Sequence, residues 1–137
     1  MTEHEAPRRF AIADALSGTR HVFVRELDIM ATVGIHEHEK LAPQKIVVSL
    51  DLTVRDSGLV SSDRLDDVVC YERVVDRIKE ICGAGHTNLI ETLAERMAAA
   101  ALEDRRVLGT RVRIEKPDAF ADCRSVGIEI ERLQPAG

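Results

Sequence analysis

Four side chains have the type and placement to do chemistry: Glu39, Tyr71, Glu91 and Lys116. They are two carboxylates, a phenol and an amine, groups that can take up and deliver protons. Glu91 stands in the first turn of a helix that the sequence opens at Thr87-Asn88. With Asn88 as N-cap, Glu91 occupies the third helical position and can reach back in a capping box. A helix N-terminus also favours negative charge. An ionised carboxylate only accepts hydrogen bonds, so it suits a planar group offering two adjacent N–H donors. Exposed N–H groups of the same turn can serve the same ligand. Capping and binding compete for the same two oxygens.

Lys116 ends a strand and shares the parity of Val112 and Ile114, so it points toward the buried face. There it either snorkels outward or acts as a partly desolvated acid or base. Tyr71, the single tyrosine, opens a helix on its apolar side, where a core aromatic or a site phenol both fit. Glu39 lies in a polar loop, and its simplest reading alone is a solvated charge. All four lie at element ends, where sites collect.

Metal chemistry is the competing reading. In His36-Glu37-His38-Glu39 alternate residues of an extended chain point the same way, as a zinc pair would. A third ligand would have to come from His86 or Cys123, and neither carries a motif. Three cysteines, an odd number without a Cys-x-x-Cys, imply free thiols in a reducing compartment, which fits the cytoplasm. We therefore expect no metal and no cofactor.

The elements that must position these residues follow from periodicity. Residues 1–20 show no sustained period; Phe10 to Leu16 reads as a short helix stopped by Ser17-Gly18, or as a mobile arm. His21 to Met30 reads as a strand, bulged, running on toward Ile35, and 34–43 as a polar loop. Residues 44–55 alternate Ile46, Val48, Leu50, Leu52 and Val54 with polar residues, the period of a half-buried antiparallel strand. Residues 59–69 connect. Tyr71, Val74, Val75, Ile78, Ile81 and Cys82 form one helical stripe, which Gly83-Ala84-Gly85 ends. The second helix runs from Asn88 to about 103–106. Strands follow at 111–116, ended by Pro117, and at 125–133; residues 134–137 are a tail. The expected architecture is α+β: a four-stranded antiparallel sheet with two helices on one face. Its open edges predict edge-to-edge pairing into a homo-oligomer.

The chain has 137 residues, 45% hydrophobic, enough for one core. A net charge of −5 argues against nucleic acid, and no apolar run is long enough to span a membrane. Residues 1–9 are charged with no long apolar segment after them, so no secretory signal is expected.

The motifs together resemble the dihydroneopterin aldolase family of folate biosynthesis. They are Val33-Gly34-Ile35-His36-Glu37-His38-Glu39 with Pro43-Gln44-Lys45, Asp67-Val68-Val69-Cys70-Tyr71, Asn88 to Arg96, Val112 to Pro117, and Ser125 to Arg132, covering roughly residues 21–133. The resemblance implies the tunnelling fold: subunits close into a barrel ring, and two tetrameric rings stack into an octamer with sites between neighbours. It implies a pterin substrate and retro-aldol cleavage of 7,8-dihydroneopterin, without metal or Schiff base. Glu91 matches the pterin anchor, helped by the backbone of Leu89 and Ile90. Lys116 matches the acid/base near N5, Tyr71 the phenol beside the hydroxylated side chain, and Glu39 the carboxylate at that end. Glu39 and Lys116 can also act as one coupled pair. The same residues support 2′-epimerisation, as a side activity or as the main one, on dihydroneopterin or its triphosphate. A zinc-dependent tunnelling-fold enzyme and a non-catalytic pterin-binding oligomer are the readings from other classes.

Overall fold

Strand propensity and parity lay out the sheet. In the computed structural model, which describes residues 13–56 and 63–136, β1 is Thr19–Ala31, β2 Gln44–Arg55, β3 Val107–Lys116 and β4 Val126–Leu133. They form one antiparallel sheet in sequence order, with β1 and β4 at its edges. Helix α1 spans Glu37–Leu41, α2 Tyr71–Cys82 and α3 Ile90–Ala101. The expected α+β arrangement therefore holds, with one addition. The 34–43 segment, read as loop, contains a helix of 5 residues, too short for a periodicity to reveal it.

The core lies between one sheet face and the two long helices. Ile46, Val48, Leu50, Leu52 and Val54 from β2 and Val112 and Ile114 from β3 are buried there. They pack with Ile78, Ile81 and Cys82 of α2 and Leu93, Ala94, Met97, Ala98 and Ala101 of α3. The small residues at 94, 98 and 101 let α3 lie close to the sheet. Burying each large aliphatic side chain contributes about 1.5–3 kcal/mol.

β2 departs from the half-buried pattern because Ser49, Asp51 and Thr53, on the face away from the helices, are buried too. As a central strand, β2 is overlaid there by long charged side chains of its neighbours. His21 Nε2 lies 2.8 Å from Asp51 Oδ1, and Arg25 Nη1 3.1 Å from the same oxygen. Arg111 reaches Glu131 at 3.3 Å. The bulge expected in β1 falls between Val24 and Leu27. There Glu26 takes a positive φ of 52°, and its N–H donates to Ser49 Oγ at 3.0 Å.

The remaining boundaries move for local reasons. β1 ends at Ala31 rather than near Ile35, and Val33 instead bridges Thr87 in parallel. α3 stops at Ala101, not at 103–106, because the Arg106 N–H and guanidinium both bond Asp104 and fold the chain into a turn. β3 therefore begins at Val107, earlier than Arg111, and β4 at Val126, a residue after Ser125. Of the helix read over Phe10 to Leu16, residues 10–12 lie outside the described residues, and residues 13–16 are not helical. From Asp14 the chain makes a turn in which Asp14 and Thr19 exchange backbone hydrogen bonds at 3.1 and 3.0 Å. Residues 57–62 of the long connection also lie outside the described residues. Its end is a single 3₁₀ turn at Leu65–Asp67.

Candidate active site

Lys116 closes β3, paired with Val126 of β4, and its parity sends it to the helix-covered face as the alternation requires. Its side chain is only 15% exposed, and Nζ lies 2.5 Å from Oε2 of Glu39, whose side chain is 9% exposed. The loop carboxylate is therefore no solvated charge. Two further contacts hold it, one from a side chain that is itself anchored. Gln44 Nε2 donates to Glu39 Oε2 at 3.0 Å and to the Val33 carbonyl at 2.8 Å. The His36 N–H donates to Glu39 Oε1 at 3.3 Å. Glu39 thus reaches back over the N-terminus of α1, the gesture expected of Glu91 in α3.

These partners set its protonation. The hydrogen bond from Lys116 pulls the Glu39 carboxyl down to about 2, burial opposes that, and the Gln44 and His36 bonds add to it. Its folded-state value lies below the ordinary carboxylate value of about 4.3. The stabilisation is therefore complete above about pH 5 and lost as pH falls toward the folded value. In acid titrations followed by thermal melting, Glu39→Gln should flatten the loss of stability over that window. An acid limb identical to wild type would show that the pair contributes nothing to folding.

Glu91 sits differently from the capping-box expectation. The N-cap of α3 is Leu89, no side chain caps the helix, and Glu91 is its second residue. Asn88 is displaced from the cap because the chain before it is still extended. The Thr87 N–H donates to the Thr32 carbonyl at 3.0 Å, and the Gly34 N–H to the Thr87 carbonyl at 3.0 Å. The helix can start only beyond that bridge, where the Thr92 and Leu93 N–H groups share the Leu89 carbonyl. The Glu91 carboxylate is exposed and, among the described residues, has no hydrogen bond or ion pair. The competition between capping and binding is thus resolved in favour of free oxygens.

Glu39, Glu91, Lys116, Leu89 and Ile90 line a single cleft of about 700 Å³. Its floor is charged and its mouth apolar, with Ile35, Leu89 and Phe120 each about half exposed. That combination suits a flat, polar-edged heterocycle. Gln44, Gly34 and Phe120 belong to this site but were not singled out from sequence. For Gln44, an amide opening a strand beside a glutamate-bearing loop was the available signal.

Tyr71 is the exception. It opens α2 as expected, yet it is 66% exposed rather than packed on the apolar face. It borders a separate recess with Arg20, Val22, Arg55 and Arg106, not the cleft holding Glu39 and Lys116. Within one chain the phenol and the amine do not meet. Among the described residues no group of three or more His, Cys, Asp or Glu is placed to hold a metal ion; the His36 and His38 rings stack with centroids 5.7 Å apart, and His86 Nε2 lies 2.9 Å from the Gly34 carbonyl oxygen.

A sheet-and-helix layer thus presents a lysine–carboxylate pair and a free helix-start carboxylate to one cleft, the groups that small-molecule acid/base chemistry calls for. The dihydroneopterin aldolase family model matches residues 22–131, and the chain belongs to that family. It is 26% identical over 111 residues to the dihydroneopterin aldolase of Escherichia coli K12, covering 81% of this chain and 91% of that one. The Haemophilus influenzae dihydroneopterin aldolase is 27% identical, over 81% and 94% of the two chains. Among solved structures, a Burkholderia thailendensis dihydroneopterin aldolase bound to guanine superposes with a TM-score of 0.77. It is 30% identical, over 88% of this chain and 95% of that one. The Escherichia coli enzyme in complex with neopterin superposes at 0.75, with 26% identity over 82% and 98%.

Proposed function

We propose that this chain cleaves 7,8-dihydroneopterin by a retro-aldol reaction, giving 6-hydroxymethyl-7,8-dihydropterin and glycolaldehyde for folate biosynthesis. The observation that carries the reading is the Glu39–Lys116 pair, held at 2.5 Å in the cleft that Glu91 also lines. Guanine and neopterin, the molecules bound to the two solved relatives, share a 2-amino group beside a ring N–H. That is the two-donor edge an unpaired carboxylate accepts best.

The substrate supplies its own electron sink. When the side-chain hydroxyl loses its proton to water and the C–C bond breaks, the electron pair flows into the ring C=N as N5 gains a proton; C1′ is then protonated and N5 gives its proton back, so the net change is one proton moved from the hydroxyl to C1′. The enzyme needs only placed acids and bases. Glu91 anchors the amino edge, with the backbone of Leu89 and Ile90 against the ring. Lys116, as an ammonium, delivers the proton to N5 through a water. Glu39, held near 2, is a weak base at neutral pH, so its role is to hold the lysine rather than to take the hydroxyl proton. Tyr71 borders a different recess of its own chain, so it acts on the cleft of a neighbouring subunit, helping to reprotonate the product. Pairing of the free edges of β1 and β4 between chains closes the ring that brings it there, and two tetrameric rings stack into an octamer. No helix of the described residues is long and apolar enough to cross a membrane. The free Cys70, Cys82 and Cys123 accord with a reducing, cytoplasmic setting.

Incubating the protein with dihydroneopterin and separating the products tests the reading. Glycolaldehyde with hydroxymethyl-dihydropterin is the expected pair, with some monapterin from re-addition at the 2′ carbon. Monapterin alone would make the chain an epimerase. Neither product, with neopterin still bound, would leave a pterin-binding oligomer.

A further inference from the structure

Gly34 lies between β1 and α1 with φ +136°, and the site described above gives it no role. A Cβ built on it would fall less than 3.0 Å from all three atoms of the Glu39 carboxyl group. The carboxyl group therefore occupies the volume of the missing side chain. Neither partner can easily give way. Glu39 is tied by Lys116, Gln44 and the His36 N–H. The Gly34 backbone is fixed on both sides, its N–H donating to the Thr87 carbonyl at 3.0 Å and its carbonyl oxygen 2.9 Å from His86 Nε2.

We propose that Gly34 is a positioning residue: the empty space at its α-carbon is the slot that seats the Glu39 carboxylate against Lys116. The proposal rests on the acid/base role given above to that pair. Any larger residue would expel the carboxylate, leaving Lys116 without its partner while the anchor at Glu91, elsewhere in the cleft, stays in place. The effect should therefore fall on turnover more than on substrate binding.

The positive φ penalises alanine whatever the space, so a double-mutant cycle is needed to separate strain from displacement. The four proteins are wild type, Gly34→Ala, Glu39→Ala and the double variant. Each is measured for kcat, KM with dihydroneopterin, and melting temperature. In the wild-type background Gly34→Ala should lower kcat roughly 10–100-fold, the scale of an ångström-level misplacement, with KM changed far less. In the Glu39→Ala background the slot is vacant, and the same substitution should leave kcat within about twofold and lower the melting temperature by a smaller step. An equal loss in both backgrounds would overturn the proposal, because the effect would then be backbone strain. No loss in either would overturn it as well. If Gly34→Ala alone does not fold, a folded double variant supports the slot, and an unfolded one refutes it. The melting-temperature arm needs no turnover, so it decides the slot even if dihydroneopterin proves not to be the substrate.

Discussion

Lys116→Ala should reduce kcat by ~10²–10⁴-fold, the range for removing a general acid/base, while dihydroneopterin binding changes little. The lysine reaches the cleft from the end of β3 with its side chain 15% exposed and bonded to Glu39. Among the described residues no other lysine lines that cleft, so no second amine replaces its proton. Glu91, the proposed anchor, and the apolar mouth are untouched, which keeps affinity. Substitution also strips Glu39 of its main partner, and the carboxyl should climb back from about 2 toward the ordinary range. Stopped-flow or steady-state kinetics alongside equilibrium binding of neopterin would separate the two effects. Turnover within a few-fold of wild type would remove Lys116 from the mechanism. A matching collapse of affinity would make it a binding residue instead.

Glu91→Gln should weaken neopterin binding by roughly 10–100-fold, the worth of a charge-assisted hydrogen bond to an amino-pyrimidinone edge. An amide also turns one acceptor into a donor facing the ligand's own N–H groups. The fold should be indifferent. Glu91 is exposed, makes no capping bond, and lies second in a helix with no side-chain cap at all. Its replacement should therefore move stability by no more than ~0.5 kcal/mol. Calorimetric titration paired with a thermal melt reads both. Unchanged affinity would end the anchor role, and a large drop in melting temperature would return Glu91 to the helix-capping role.

What could be read from the chain divides by the range of the interactions involved. The period of β2, the stripe of α2 and the parity of Lys116 are local consequences of burial, and they place the sheet and both long helices. Residues that belong to the site through tertiary contact were not legible. Glu39 looks solvated because its partner is 77 residues away. Asn88 looks like a cap because Thr87's bridge to the end of β1 cannot be seen from spacing. Ser49, Asp51 and Thr53 look exposed because the arginines and histidine that overlie them belong to other strands. The roles proposed for Glu91 and Tyr71 come through resemblance, and capping rules by themselves predict a capping bond for Glu91 that is absent.

The distance between Tyr71 and the rest of the machinery has a consequence for how activity scales. On the ring proposal, a lone chain would carry part of each of two sites. On the ring reading, specific activity is then an association isotherm in disguise: it rises with protein concentration until rings are complete and falls on dilution while every chain stays folded. Affinity at the β1 and β4 edges becomes a kinetic parameter of the enzyme, and the chemistry is regulated by whatever regulates how many copies are made.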